Sequence, residues 1–373
     1  MKYYIIAGEA SGDLHASNLI KEITKLDTNS DFRCWGGDRM EQEGAVLVKH
    51  YRDLAFMGFT EVILNLKTIL KNISFCKEDI SMNRPDVLIL VDYPGFNLRI
   101  AEFAKRNNIK VFYYISPQVW AWKQSRVEKI KRFVDRMFVI LPFEKEFYKK
   151  FNYDVDFVGH PLLDAIEQQK SISAERQIRL QKNKLSDKPI IALLPGSRKQ
   201  EISTMLPLML SVTDDFPEYQ FVIASAPSVP ESFYTKLIGR NNASLLIDQT
   251  YSLLLHAEAA LVTSGTATLE TALFEVPEVV CYKGGNISYM IARMMVKVKF
   301  ISLVNLIMDR EVVKELIQSE LNSSNLKTEL KKILDSGNRK KMKEDFVFLK
   351  QKLGGSGASA KAAKLMVGYL SQN

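Results

Sequence analysis

The sequence predicts an α/β protein of two Rossmann-like domains facing across a cleft, and three observations carry that prediction. Short apolar runs alternate with amphipathic helical stretches, the pattern of βαβ units around a mostly parallel sheet. The alternation starts twice, at Tyr3 and again at Ile190, separated by a polar Gln-, Lys- and Ser-rich stretch. The 373 residues, 46% hydrophobic and 10% aromatic, exceed what one core organises and suffice for two. The expected boundaries are a first domain over 1–166, a linker over 167–188, a second domain over 189–353 and a final helix within 354–373.

In the first half the candidate strands are Tyr3 to Ala7, Phe32 to Gly36, Val87 to Val91, Lys110 to Ile115, Met137 to Leu141 and Asp156 to Val158. Helical spacing fills Leu14 to Leu26, Glu61 to Met82, Leu98 to Asn107 and Phe143 to Lys150. In the second half strands are expected at Ile190 to Leu194, Gln220 to Ser225, Ser244 to Ile247, Ala259 to Thr263 and Glu278 to Tyr282. Helix follows over Lys327 to Leu353 and Ala358 to Leu370, interrupted by Gly354-Gly355-Ser356-Gly357.

Net charge is +8, from 51 Lys and Arg against 43 Asp and Glu, which favours an anionic partner: a phosphorylated small molecule, a membrane surface or nucleic acid. The basic residues form no dense tract with interleaved exposed aromatics, which argues against nucleic acid. Cys34, Cys76 and Cys281 lie far apart without metal-ligand spacing and read as reduced thiols in a cytoplasmic protein. The opening Met1 to Ala7 run is too short for a signal-peptide core, and no stretch approaches a membrane span.

The chemistry-bearing residues fall at strand ends, where open parallel sheets bind ligands. Gly8-Glu9-Ala10-Ser11-Gly12-Asp13 follows the first strand. Its two glycines would let backbone approach a ligand and its helix start would favour an anion, or the run is a tight turn capped by Ser11 or Asp13. Asp92 ends the apolar Val87 to Val91 run. There it can accept a proton from an attacking hydroxyl, or cap the Pro94-Gly95 turn while Asn97 caps the next helix. Ser116-Pro117-Gln118-Val119-Trp120-Ala121-Trp122-Lys123 sets two indoles, able to stack on a sugar or to pack in the core, beside Arg126, Lys129, Lys131 and Arg132. His160 follows the last strand of the first domain, in a structural or catalytic role.

In the second domain Pro195-Gly196-Ser197-Arg198 precedes a helix. A guanidinium beside helix-start N–H groups suits a diphosphate. Thr263-Ser264-Gly265-Thr266 repeats that geometry, with Glu270 one turn inside its helix suited to the paired hydroxyls of a ribose. Two apolar-basic stretches read as membrane or acyl contacts, or as core with snorkelling lysines. One contains Phe56, Met57 and Phe59 ahead of Leu64, Leu66, Ile69 and Leu70 with Lys67 and Lys71; the other contains Met290, Arg293, Met294 and Lys297.

Taken in order, GEASGD, MGF-TEV, DYPGFN, ISPQVWAWK, VGHPLLD, LLPGSRKQEI, TSGTATLE and SLVNLI resemble the lipid-A-disaccharide synthase family over nearly the whole chain. The resemblance implies a GT-B fold whose last helix returns to the N-terminal domain. It also implies no metal or other cofactor, and a nucleotide held mainly by the C-terminal domain. The implied reaction is inverting transfer from UDP-2,3-diacylglucosamine to 2,3-diacylglucosamine 1-phosphate, giving a β-1,6-linked disaccharide phosphate and UDP, in lipid A biosynthesis.

By position, Asp92 matches the family's proposed base, Arg198 the arginine near the diphosphate, Glu270 the ribose carboxylate and Asn305 a donor-site polar residue. Gly196, Ser197, Ser264, Gly265 and Thr266 line the nucleotide loops. Glu9, Ser11 and Gly12 face the transferring sugar, with Asn97, Gln118 and Trp120 on the acceptor side. Tyr93 and Gly95 depart from the family's usual Ala and Asp, which bears on acceptor contacts alone. The implied location is the cytoplasmic face of the inner membrane, peripherally bound to an anionic surface; a homodimer is left open. A non-hydrolysing UDP-sugar epimerase is the rival within the architecture.

Overall fold

The structure is a computed structural model that describes residues 1–53, 66–121, 124–171, 185–284 and 299–372. It divides into two compact units, Met1–Asp164 with Leu353–Asn373, and Ala165–Lys352.

The first unit is built on a seven-stranded sheet: β1 Lys2–Ala7, β2 Asp31–Gly36, β3 Val46–His50, β4 Val87–Val91, β5 Lys110–Tyr114, β6 Arg136–Val139 and β7 Asp156–Phe157. All neighbours pair in parallel, in the order β3-β2-β1-β4-β5-β6-β7. β4 is buried along its whole length because helices cover both faces, which is why it reads as an uninterrupted apolar run. Tyr4, Trp35, Leu88 and Tyr113 fill the core on one side of the sheet, each side chain of this size contributing on the order of 1.5–3 kcal/mol by burial. A polar clamp pins the helix Leu66–Asn83 beneath it. Asp79 accepts from the Tyr4 hydroxyl at 2.7 Å and from Arg33 Nη2 and Nε at 2.6 and 2.8 Å.

The helix Ala358–Ser371 belongs to this unit and packs along the helix Ala10–Leu26. Its buried face begins with the small residues Ala358, Ser359, Ala362 and Ala363 and ends on Met366 and Leu370. Asp164 caps it from another element, accepting from Gly357 N at 2.6 Å and Ser359 N at 3.0 Å. The chain arrives through a contact that only glycine fits: at Gly159, with φ +92°, a Cβ would stand 3.2 Å from the Leu353 carbonyl.

The second unit carries β8 Ile190–Leu194, β9 Gln220–Ala224, β10 Ala243–Leu246, β11 Ala257–Thr263, β12 Glu278–Tyr282 and β13 Lys314–Ile317, all parallel, in the order β10-β9-β8-β11-β12-β13. Its core gathers Ile202, Met205, Phe221, Leu261, Leu316 and Leu330. The first six strands of each unit therefore follow one plan. The order reverses at β1/β4 in the first sheet and at β8/β11 in the second, and such switch points are where parallel sheets leave a crevice for ligands. Cys34, Cys76 and Cys281 are all free and buried. Among the described residues no helix is long and apolar enough to cross a membrane.

Candidate functional site

Each of the four strand ends at the two switch points carries one of the motifs singled out above. After β1, the helix Ala10–Leu26 begins inside the glycine-rich run, with half-buried Glu9 as N-cap and exposed Ser11, buried Gly12 and buried Asp13 in the first turn. Internal packing accounts for both glycines. A Cβ on Gly8 would lie 2.4 Å from the Tyr93 ring, and one on Gly12 would lie 3.2 Å from the Ala7 Cβ. Neither Ser11 nor Asp13 caps this helix, contrary to the turn reading. Asp13 instead accepts from Gly37 N at 2.8 Å and from Arg39 and Met40 N at 3.2 Å, capping the helix Asp38–Gln42.

After β4, Asp92 and Tyr93 both adopt left-handed backbone, with φ of 43° and 47°. Helix Pro94–Arg106 starts at once, so Asn97 lies within it rather than capping it. The buried Asn97 amide turns back, donating to the Asp92 carbonyl at 2.7 Å and the Val91 carbonyl at 3.2 Å. The Asp92 side chain reaches solvent, yet the protein crowded around it, and then the Glu9 carboxylate, push its pKa up to about 6. A carboxylate so placed is half-protonated near pH 6, mostly ionised at neutrality, and a stronger base than an ordinary aspartate.

After β5, Gln118 is exposed and Trp120 half-buried. Trp120 meets Phe143 edge-on with ring centroids 5.0 Å apart, and Ser116 Oγ lies 2.7 Å from the Tyr148 hydroxyl. Behind this loop Glu144 is buried and accepts from Leu141 N at 2.9 Å and Ile140 N at 3.2 Å, while burial pushes its pKa up to about 8. His160 is buried, and desolvation followed by the neighbouring His15 lowers its pKa to about 3, so it is neutral and packs as a structural residue.

After β8, Gly196 takes φ +115°, and a Cβ there would stand 2.8 Å from Glu201 Oε2. Glu201 accepts from Ser197 N at 3.2 Å and lies 3.7 Å from exposed Arg198, the N-cap of helix Lys199–Leu210. An internal carboxylate thus rests where the loop would receive an anion.

After β11, no side chain caps helix Thr266–Leu273, whose N-cap is Gly265, and Thr266 is exposed. Ser264 N donates to the Cys281 carbonyl at 2.9 Å, and Ser264 Oγ reaches the Ile301 carbonyl at 3.4 Å. Glu270 accepts from the Tyr251 hydroxyl at 2.9 Å, and burial raises its pKa. Asn305 is fully buried with its amide used internally. Its Nδ2 donates to the Val313 carbonyl at 2.8 Å and Glu315 Oε1 at 2.9 Å, while its Oδ1 accepts from Val312 N at 2.7 Å and Val313 N at 3.0 Å. Glu315 also accepts from Ile301 N and Ser302 N at 3.0 Å and from Ser302 Oγ at 2.8 Å, so it organises the whole 301–305 segment.

Tyr113, Tyr251 and Glu315 are the residues that sequence reasoning missed, each acting through a tertiary hydrogen bond that leaves no local pattern, while Glu201 of the LLPGSRKQEI run was given no role although its contacts are local. The expected membrane contacts Phe56, Met57, Phe59, Met290, Arg293, Met294 and Lys297, with Leu64, Trp122 and Lys123, lie outside the described residues. Among the described residues no group of three or more His, Cys, Asp and Glu side chains is arranged to hold a metal.

Two Rossmann-like units, each with a helix-start loop at its switch point, define the class as a GT-B-fold enzyme. Solved structures share this fold: UDP-GlcNAc 2-epimerase from Neisseria meningitidis bound to UDP-GlcNAc has a TM-score of 0.68 at 15% identity, covering 100% of both chains. The glycotransferase of kitacinnamycin has a TM-score of 0.63 at 12% identity, covering 99% of both. The family is fixed by sequence. The model of lipid-A-disaccharide synthetase matches residues 3–366. The lipid-A-disaccharide synthase of Syntrophus aciditrophicus is 41% identical, over 96% of this chain and 95% of its own. That of Myxococcus xanthus is 36% identical, over 98% and 97%. This chain belongs to the lipid-A-disaccharide synthase family and is a glycosyltransferase.

Proposed function

We propose that the chain joins UDP-2,3-diacylglucosamine to 2,3-diacylglucosamine 1-phosphate by a single inverting displacement, with Asp92 as the base. The acceptor 6-hydroxyl forms its bond to the donor's anomeric carbon as the bond from that carbon to the diphosphate breaks. The hydroxyl proton passes to Asp92 and the electron pair leaves with UDP. The carrying observation is the Asp92 carboxylate itself: at the end of β4, beside Glu9, with its pKa raised to about 6.

The anionic leaving group needs donors already in place, and Arg198 with the helix starts after Gly196 and Gly265 supplies them. Ser197, Ser264 and Thr266 add hydroxyls to those loops. Glu270, held by Tyr251, takes the ribose, and Asn305 with Glu315 fixes the segment against which Ser264 rests. Glu9, Ser11, Gln118 and Trp120 form the acceptor side, with buried Gly12 and Asn97 shaping its loops from within. The net charge of +8 and the lipid substrates favour peripheral binding to an anionic membrane surface.

The test is UDP release by the purified chain given both diacylglucosamine substrates in detergent micelles, with UDP-GlcNAc alone as the second arm. Release only with both substrates is expected. Epimerisation of UDP-GlcNAc without release would replace the transfer reading.

A further inference from the structure

Asp92 and Tyr93 are successive non-glycine residues in left-handed backbone, a conformation that side chains resist and that persists only where the surroundings over-determine it. Parallel pairing continues up to this point: the Asp92 N–H still donates to the Tyr114 carbonyl at 3.3 Å. The next group does not continue the ladder. The Asp92 carbonyl accepts from the Tyr113 hydroxyl at 2.5 Å and from Asn97 Nδ2 at 2.7 Å, so both of its lone pairs are engaged by side chains. Tyr113 is fully buried on β5, opposite Leu90 of β4, with Leu88, Val111 and Met137 in the same apolar cluster. In that cluster a phenylalanine would pack as well, so what the hydroxyl adds is its bond to the Asp92 carbonyl.

We propose that Tyr113 is a positioning residue for the transfer reaction, its buried hydroxyl locking the Asp92 peptide in the left-handed turn that aims the Asp92 carboxylate. This rests on the reading of Asp92 as the base. Without the hydroxyl the carbonyl keeps a single side-chain donor, and the turn relaxes toward ordinary backbone. The Cα–Cβ bond of Asp92 then swings, and the carboxylate leaves both its crowded surroundings and its line to the acceptor oxygen. A displacement of about 1 Å at a reacting group is enough to cost about 10²-fold in rate.

The experiment is Tyr113→Phe in the full chain, assayed by UDP release with both diacylglucosamine substrates across pH 5 to 9. A fall in kcat of about 10- to 100-fold with KM little changed is expected. The acid limb of the pH profile, near pH 6 in the parent, should move to lower pH as Asp92 loses its crowding. A merely structural tyrosine would not move that limb. Because Tyr113 acts through Asp92, adding Tyr113→Phe to Asp92→Asn should cost nothing further.

Asn97→Ala removes the other donor and should reproduce the same pattern if Tyr113→Phe proves too unstable to assay. Wild-type kcat with an unmoved acid limb in Tyr113→Phe, or an equal fold-loss in the Asp92→Asn background, overturns the inference. Wild-type turnover in Asp92→Asn itself removes the base assignment, and the inference with it. An inactive Asp92→Asn beside an unaffected Tyr113→Phe removes the inference alone.

Discussion

The Tyr93 ring lies so close over Gly8 that a Cβ on Gly8 would stand 2.4 Å from the ring's Cγ, 2.5 Å from Cδ1 and 2.7 Å from Cδ2. Glycine at the end of β1 is therefore demanded by the residue that follows Asp92, and the two motifs are coupled. Gly8→Ala should destabilise the first unit by about 1–3 kcal/mol, as overpacking does, and lower turnover by displacing the turn that carries Asp92. Tyr93→Ala in that background should recover much of both losses, since the ring is what the new methyl meets. Thermal unfolding and UDP release for the two single variants and the double variant check this. Strictly additive losses would show that ring and glycine are independent.

Asp92 makes turnover depend on pH with a definite sign. The base must be ionised to accept the hydroxyl proton, so kcat/KM should rise as pH increases through about 6 and level off above it. Asp92→Asn should lower kcat by about 10²- to 10⁴-fold at pH 7.5 without loss of fold. Stability runs the other way. A carboxyl whose pKa is raised on folding favours the folded state most below the unfolded value near 4, and that advantage is lost as pH rises toward 6. The Asn variant should thus be at least as stable as the parent at neutral pH. An Asn variant that is both inactive and markedly less stable would mean that the side chain serves the fold.

The strands that were legible in the sequence are those buried on both faces. β4 and β8 have no exposed residue, so their apolar runs mark them unambiguously. β3 and β13 were missed because Lys49, His50, Lys314 and Glu315 interrupt their apolar runs, which a place at the sheet edge tolerates. Site residues followed the same division. Asp92, Arg198 and Glu270 sit in motifs at strand ends and helix starts, which local sequence displays. Glu315 lies on one of the unread edge strands, and Tyr113 looks like any core aromatic until its hydroxyl is seen to meet the Asp92 carbonyl.

Arg198 and Asn305 were singled out together as donor-site residues, and their surroundings separate what their loss should do. Arg198 is exposed, with Glu201 at 3.7 Å, so Arg198→Ala should leave stability within about 0.5 kcal/mol while reducing turnover about 10²- to 10³-fold and weakening UDP binding. Asn305→Ala strands two main-chain N–H groups and removes a donor from Glu315 inside the protein, and each such orphan costs about 1–3 kcal/mol. Its defect should appear first as a lower urea midpoint and only then as lost activity. Calorimetric UDP titration alongside urea denaturation reads both. A stable Asn305→Ala protein that no longer binds UDP would assign Asn305 a direct contact.

Glu278 opens β12 fully buried, and among the described residues neither carboxyl oxygen has a hydrogen-bond partner. Burial holds its pKa well above the usual carboxylate range. In the unfolded chain the group ionises near pH 4.3, so above that pH the unfolded state gains a hydrated charge that the folded state forgoes. The protein should therefore lose stability as pH rises from about 4 toward neutrality, and this residue should carry part of that slope. Glu278→Leu replaces the group with an apolar one of similar size. At pH 7 it should raise stability by about 1–3 kcal/mol, with a gain that shrinks as pH falls from neutrality toward about 4. Turnover should be unchanged, because Glu278 is at the amino end of β12 and Cys281, which receives Ser264 N, is near the other end. Urea denaturation at pH 4 and pH 7 makes the comparison, and a Leu variant less stable than the parent at both would show that the carboxyl is hydrogen-bonded after all.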